Sequence, residues 1–151
     1  MSVLAKLKEL KIELPPLPPA LASYVPAKRL GNLVYVSGQL PFLHGELMAT
    51  GKLGELLEIE DGQELSKRCF VNALAAASSV VDLEEIRGVL RIGGWVASAP
   101  LFVQQHLVLN GASDLAQAIF GVKGQHVRAA VGSVGLPMNA PVEAEVIFTL
   151  D

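Results

Sequence analysis

Cysteine is nearly missing from this chain of 151 residues: Cys69 is the only one. That excludes an intrachain disulfide framework and a cysteine-based zinc site. Aromatic residues are scarce too, 5% of a chain that is 51% hydrophobic, so the core must be aliphatic. Positive charge is not in excess. Twelve Lys+Arg stand against 15 Asp+Glu, for a net charge of −3, and no basic run occurs. No nucleic-acid partner is therefore expected. Long hydrophobic runs are lacking: the longest, Val71 to Val81, is short and interrupted by Asn72, Ser78 and Ser79. It cannot span a bilayer. Met1 to Lys11 carries Lys6 and Lys8 among its apolar residues and does not read as a signal peptide. The expectation is a soluble, cytoplasmic protein, folded rather than disordered.

Familiar catalytic signatures are also missing. There is no P-loop and no G-x-G-x-x-G. Residues 132–135 read Gly-Ser-Val-Gly, which is not a nucleophile elbow. His44, His106 and His126 have no metal-ligand spacing and read as structural or exposed. Cys69 falls on an apolar helical face and reads as core.

Charge is unevenly distributed. Residues 1–91 hold 21 of the 27 charged side chains and residues 92–151 hold six. The second half is thus predicted to be buried on more than one face. Along the chain, Val3, Leu4, Leu7 and Leu10 form a helical stripe with Ser2 as N-cap. Pro15, Pro16, Pro18 and Pro19 then force an extended connector, so residues 1–20 form an arm on one domain, 21–151. Leu33 to Ser37 is strand-like after a Gly31-Asn32 turn. Phe42 to Met48 is a second strand or a hairpin, and 49–60 a loop. Asp61, with Glu64 three residues on, caps a helix over 62–81. Ile86 to Ser98 reads as a strand, with Gly93-Gly94 a bulge or a close approach. Residues 103–120 are helical with a break at Asn110-Gly111. Val127 to Val134 and Val142 to Thr149 are the last strands. The order β-β-α-β-α-β-β predicts an α+β fold: one mixed sheet with two helices on one face.

Arg128 stands among Val127, Ala129, Ala130, Val131 and Gly132. A permanent cation in that setting needs an anionic partner, either a structural ion pair or a ligand. Glu143 and Glu145 share one strand face, which is either a solvent edge or part of a site. If the last two strands form a regular hairpin with Leu136 opposite Pro141, then Glu143 faces Val134. Arg128 is then roughly 20 Å away at ~3.3 Å per residue. The two would meet only across an interface between subunits. Ser37-Gly38-Gln39 offers a hydroxyl, a close-approach backbone and an amide at a strand end.

These residues carry a resemblance. Tyr24 and Leu30-Gly31-Asn32-Leu33-Val34-Tyr35-Val36-Ser37-Gly38-Gln39-Leu40-Pro41 resemble the N-terminal block of the YjgF/Rid family, the enamine/imine deaminases also described as endoribonuclease L-PSP-like. Val127-Arg128-Ala129, Leu136-Pro137 and Val142-Glu143-Ala144 resemble its C-terminal signature. The resemblance covers about residues 20–150 and implies a bacterial chorismate-mutase-like fold and a homotrimer with three intersubunit clefts. It further implies hydrolysis of 2-imino acids to 2-oxo acids and ammonia, without metal or organic cofactor. Arg128 would clamp the substrate carboxylate and Glu143 would activate water. Tyr24, Ser37, Gly38, Asn110 and Ala130 would line the pocket. A trimer that binds small carboxylates or a protein partner without chemistry is the alternative. His126, Ala130 and Ala144 depart from the usual family residues, marking a divergent subgroup.

Overall fold

The computed structural model describes residues 1–17 and 22–151. Pro18 and Pro19 of the expected extended connector lie outside the described residues. Helix α1 (Val3–Glu9) begins at Ser2, whose hydroxyl accepts from the Ala5 N–H at 3.1 Å. Its Val3 and Leu7 are buried, and it docks beside the turn at Leu83–Glu85.

Strands β1 (Ala27–Leu30) and β2 (Leu33–Gln39) form a hairpin across Gly31-Asn32. Phe42–Leu43 (β3) and Glu46–Leu47 (β4) form a separate small ribbon. His44 and Gly45 turn it with positive φ, 52° and 81°, as a two-residue hairpin loop requires. Of the two expected alternatives, residues 42–48 are thus the hairpin, and the second strand of the main sheet ahead of the first long helix is β1. Ala-Lys-Arg-Leu hid it, because three of its four side chains are exposed.

Helix α2 (Ile59–Ala77) starts three residues earlier than the Asp61 cap implies. Glu58 is the N-cap, and Asp61 sits in the first turn, its carboxylate accepting from the Glu58 N–H at 2.9 Å. Strand β5 (Gly88–Ala97) has its bulge at Leu90, between Val89 and Arg91, not at the glycine pair. The close approach is real: a Cβ on Gly94 would overlap Leu109. Helices α3 (Gln105–Val108) and α4 (Asn110–Phe120) meet at Leu109, one residue before the Asn110-Gly111 break that the sequence predicts. Strands β6 (Val127–Ser133) and β7 (Val142–Thr149) complete the sheet.

The sheet order is β1-β2-β7-β5-β6. β5 and β6 are parallel; the other pairs are antiparallel. β6 and β7 are therefore not a hairpin, because β5 lies between them. The connection at Pro137–Asn139, with Met138 and Asn139 both at positive φ, is a crossover that mimics a hairpin turn. Val142, Ala144, Val146 and Phe148 alternate inward against α2 and α4, where Phe70 meets Phe148 edge-on at 5.7 Å. The opposite face of the sheet carries Tyr35, Arg91, Trp95, Val127, Val131, Glu143, Glu145 and Ile147, and no helix among the described residues covers it.

Candidate active site

Arg128 and Ala130 point to the helix-side face of the edge strand β6. Arg128 Nη1 donates to Asn110 Oδ1 and to Ser113 Oγ, each at 3.0 Å. Its Nη2 donates to the His106 carbonyl at 3.0 Å. All three acceptors are neutral. None of the ion pairs among the described residues includes Arg128. Among the described residues the guanidinium thus keeps one Nη2 proton and the Nε proton free, in an open groove of about 370 Å³. Asn110, Ser113, Asp114, Gln117, Gln125 and His126 line the rest of that groove.

Helix α2 sets this geometry. Ser66, fully buried, donates to the Val108 carbonyl at 2.7 Å and accepts from the Ala112 N–H at 3.1 Å. Gln63 Nε2 donates to the Leu107 carbonyl at 3.0 Å. These bonds satisfy the groups freed by the α3–α4 break and fix Asn110 at its corner. Gly111 makes the approach possible, since a Cβ there would overlap the Gln63 carbonyl.

Glu143 belongs to the other face. Its carboxylate lies over Gly38, at the irregular end of β2, where a Cβ would overlap Oε1. Burial pushes the Glu143 carboxyl up, and the like charge of Glu145 adds to the rise. Glu145 is itself paired with Arg91 at 2.8 Å. Ser37 donates to the Val25 carbonyl at 2.6 Å and so ties the Tyr24-Val25 segment to β2. Tyr24 is about half exposed. Cys69 is fully buried in the core, where burial raises its thiol pKa far above the reactive range.

The residues singled out from sequence thus separate into two groups. Arg128, Asn110 and Ala130 lie on the helix side; Tyr24, Ser37, Gly38 and Glu143 lie at the other. Arg128 aligns with Ile92 and Glu143 with Trp95, two strands apart in the sheet. At ~3.3 Å per residue and ~4.8 Å per strand, their backbones are roughly 14 Å apart, on opposite faces. The hairpin arithmetic is overturned, but one chain still does not bring the two together. Ser113 and His126 were missed. Ser113 is one helical turn from Asn110, and His126 precedes Arg128 by two residues just before the strand; those spacings were the available signals.

A family model described as "YjgF/chorismate_mutase-like, putative endoribonuclease" matches residues 5–148. The chain belongs to the YjgF/chorismate-mutase-like family. Protein TCP17 of Trypanosoma cruzi is 35% identical over 99% of this chain and 94% of its own length. The crystal structure of Atu1372, a protein of unknown function from Agrobacterium tumefaciens, is 44% identical, with a TM-score of 0.90 over 99% of this chain and 94% of that one. A "putative endoribonuclease" from Shewanella oneidensis is 27% identical, with a TM-score of 0.93 over 99% of both chains. Both matches extend over nearly the whole of this chain. Among the described residues no helix is long and apolar enough to cross a membrane.

Proposed function

We propose that this chain is a hydrolytic deaminase of reactive 2-imino acids, working in clefts between the copies of a homotrimer. The observation that carries the reading is the Arg128 guanidinium, held by neutral acceptors with two N–H groups free and no carboxylate of its own. A carboxylate-bearing substrate supplies the missing anion through a planar two-point contact. Fixing the substrate this way removes much of the entropic barrier. Glu143, deprotonated, takes a proton from water as its oxygen attacks the imine carbon. That proton passes to nitrogen and gives the carbinolamine; Glu143 then takes the proton of the new hydroxyl and hands it to nitrogen, the C–N bond breaks as the carbonyl forms, and 2-oxo acid and ammonia leave. A raised carboxyl pKa suits that base role. Ser37 and Tyr24 wall the Glu143 side, and Asn110 and Ala130 the Arg128 side. No metal or organic cofactor takes part.

The uncovered face of the sheet supports the same reading. The uncovered sheet face presents Tyr35, Trp95, Val127, Val131 and Ile147 in cross-strand rows. A second copy packed there would bring another chain's groups toward Glu143. Light scattering should give about three times the 16.0 kDa chain mass; a single-chain mass would contradict the proposal.

Freshly generated 2-iminopropanoate, with ammonia measured, tests the chemistry. If Arg128 only binds and no reaction follows, the protein is a carboxylate- or protein-binding trimer. Glu143→Gln separates the two, because it keeps the clamp and removes the base. RNA cleavage, the activity in the Shewanella relative's description, finds no support in a net charge of −3.

A further inference from the structure

Arg128 is anchored on one side by groups that the proposed chemistry leaves unused. Nη1 donates to Ser113 Oγ at 3.0 Å. Ser113 Oγ lies 2.9 Å from His126 Nε2, and His126 Nδ1 lies 2.6 Å from the Gly124 carbonyl oxygen. Chemistry assigns the protons. A guanidinium only donates and a carbonyl only accepts. In the neutral imidazole, Nδ1 then carries the ring proton, Nε2 accepts, and the one Ser113 proton points to Nε2. The chain runs in a single direction, from Arg128 through Ser113 and His126 to Gly124. Ser113 is 7% exposed, so water competes little for its hydroxyl.

We infer that Ser113 and His126 are positioning residues, which set the direction in which the free donors of Arg128 face the groove. This rests on the reading of Arg128 as a carboxylate clamp and deepens it. A two-point contact with a carboxylate requires the guanidinium plane to be held within ~10–20°. Asn110 and the His106 carbonyl hold two of the anchoring N–H groups. Ser113 holds the third, but only while its own proton is turned away from Arg128. Without the His126 acceptor, a serine inside a helix turns its hydroxyl to the carbonyl four residues back. Its lone pairs then leave Arg128, and the fork swings. His126 thus acts through Ser113, one step removed from substrate.

Pyruvate binding by calorimetry, together with 2-iminopropanoate kinetics, tests this on the full chain. His126→Asn can still reach Gly124 but not Ser113; His126→Gln keeps an acceptor near the Nε2 position. Ser113→Ala and His126→Asn should each weaken pyruvate binding about fivefold, the equivalent of one hydrogen bond of ~1 kcal/mol. Most of their kinetic loss should fall on KM rather than kcat, and His126→Gln should recover most of it. In the unaltered protein, nitrogen NMR should place the His126 proton on Nδ1. A proton on Nε2, or wild-type pyruvate affinity in both Ser113→Ala and His126→Asn, overturns the inference. Arg128→Ala reports on the clamp alone. If that variant binds pyruvate normally, the clamp reading itself fails; if it loses binding while His126→Asn retains it, only the positioning role fails. Should His126→Asn not fold, Ser113→Ala and the Nδ1 measurement decide.

Discussion

A methyl group placed on Gly38 probes where the Glu143 carboxylate must sit. In the structure, an added Cβ would overlap Glu143 Oε1 and would stand 3.1 Å from Cδ and 3.4 Å from Cγ. Carbon atoms are comfortable at about 3.5–4.0 Å, so the carboxylate must swing away by about an ångström. The obstacle is the end of a flexible side chain rather than backbone, and Gly38 does not need positive φ. The fold should therefore survive, at a cost of about 1 kcal/mol for an off-rotamer side chain. Catalysis should not. A 1 Å displacement of a reacting group costs about 100-fold in rate, or ~2.7 kcal/mol of activation free energy. The assay is ammonia release from 2-iminopropanoate, with a melting curve and pyruvate binding measured on the same sample. Gly38→Ala should lose about two decades of kcat while keeping its melting temperature within a few degrees and its pyruvate affinity. Wild-type kcat in a folded variant would refute the placement of Glu143 as the base over Gly38.

Other expectations follow from the same geometry. Glu143→Gln should abolish turnover yet raise the melting temperature at neutral pH. A carboxyl whose folded pKa is raised costs stability once pH rises through that pKa, and the neutral amide avoids this. The gain should be below about 1 kcal/mol because the group is only half-buried. Activity of the unaltered protein should fall on the acid side as Glu143 becomes protonated. Arg91→Ala, which removes the 2.8 Å partner of Glu145, should move that acid limb to higher pH, because an unpaired Glu145 repels the Glu143 charge more strongly; an unmoved limb would contradict the coupling. Gly111→Ala should destabilise the fold by about 2–3 kcal/mol, since its methyl meets the Gln63 backbone rather than a movable side chain; a denaturation midpoint equal to wild type would count against it.

What was readable in the sequence followed from periodicity. The inward Val142, Ala144, Val146 and Phe148 mark β7 to the residue, and the apolar face of 62–81 marks α2 to within a few residues. Strand neighbours were not readable. A sequence period shows which face a residue takes, not which strand lies beside it, and the left-handed Met138-Asn139 pair imitates a hairpin where the chain crosses over β5. β1 was lost because an edge strand with one buried residue has no alternation to read. In the site, Arg128 was conspicuous as a charge amid small apolar residues. Ser113 and His126 were not, because their roles exist only once α4 docks beside β6. The Arg91–Glu145 pair depended likewise on β5 lying next to β7.

The central claim, that Arg128 of one copy works with Glu143 of another, is tested most directly by mixing two dead proteins. Arg128→Ala and Glu143→Gln chains are each inactive alone, then coexpressed at equal levels and assayed for ammonia from 2-iminopropanoate. In randomly mixed trimers about a quarter of the clefts receive an intact arginine from one chain and an intact glutamate from its neighbour. Activity near a quarter of wild type is the expected result. A mixture as inactive as its two components would place both residues in one chain's site and contradict the account.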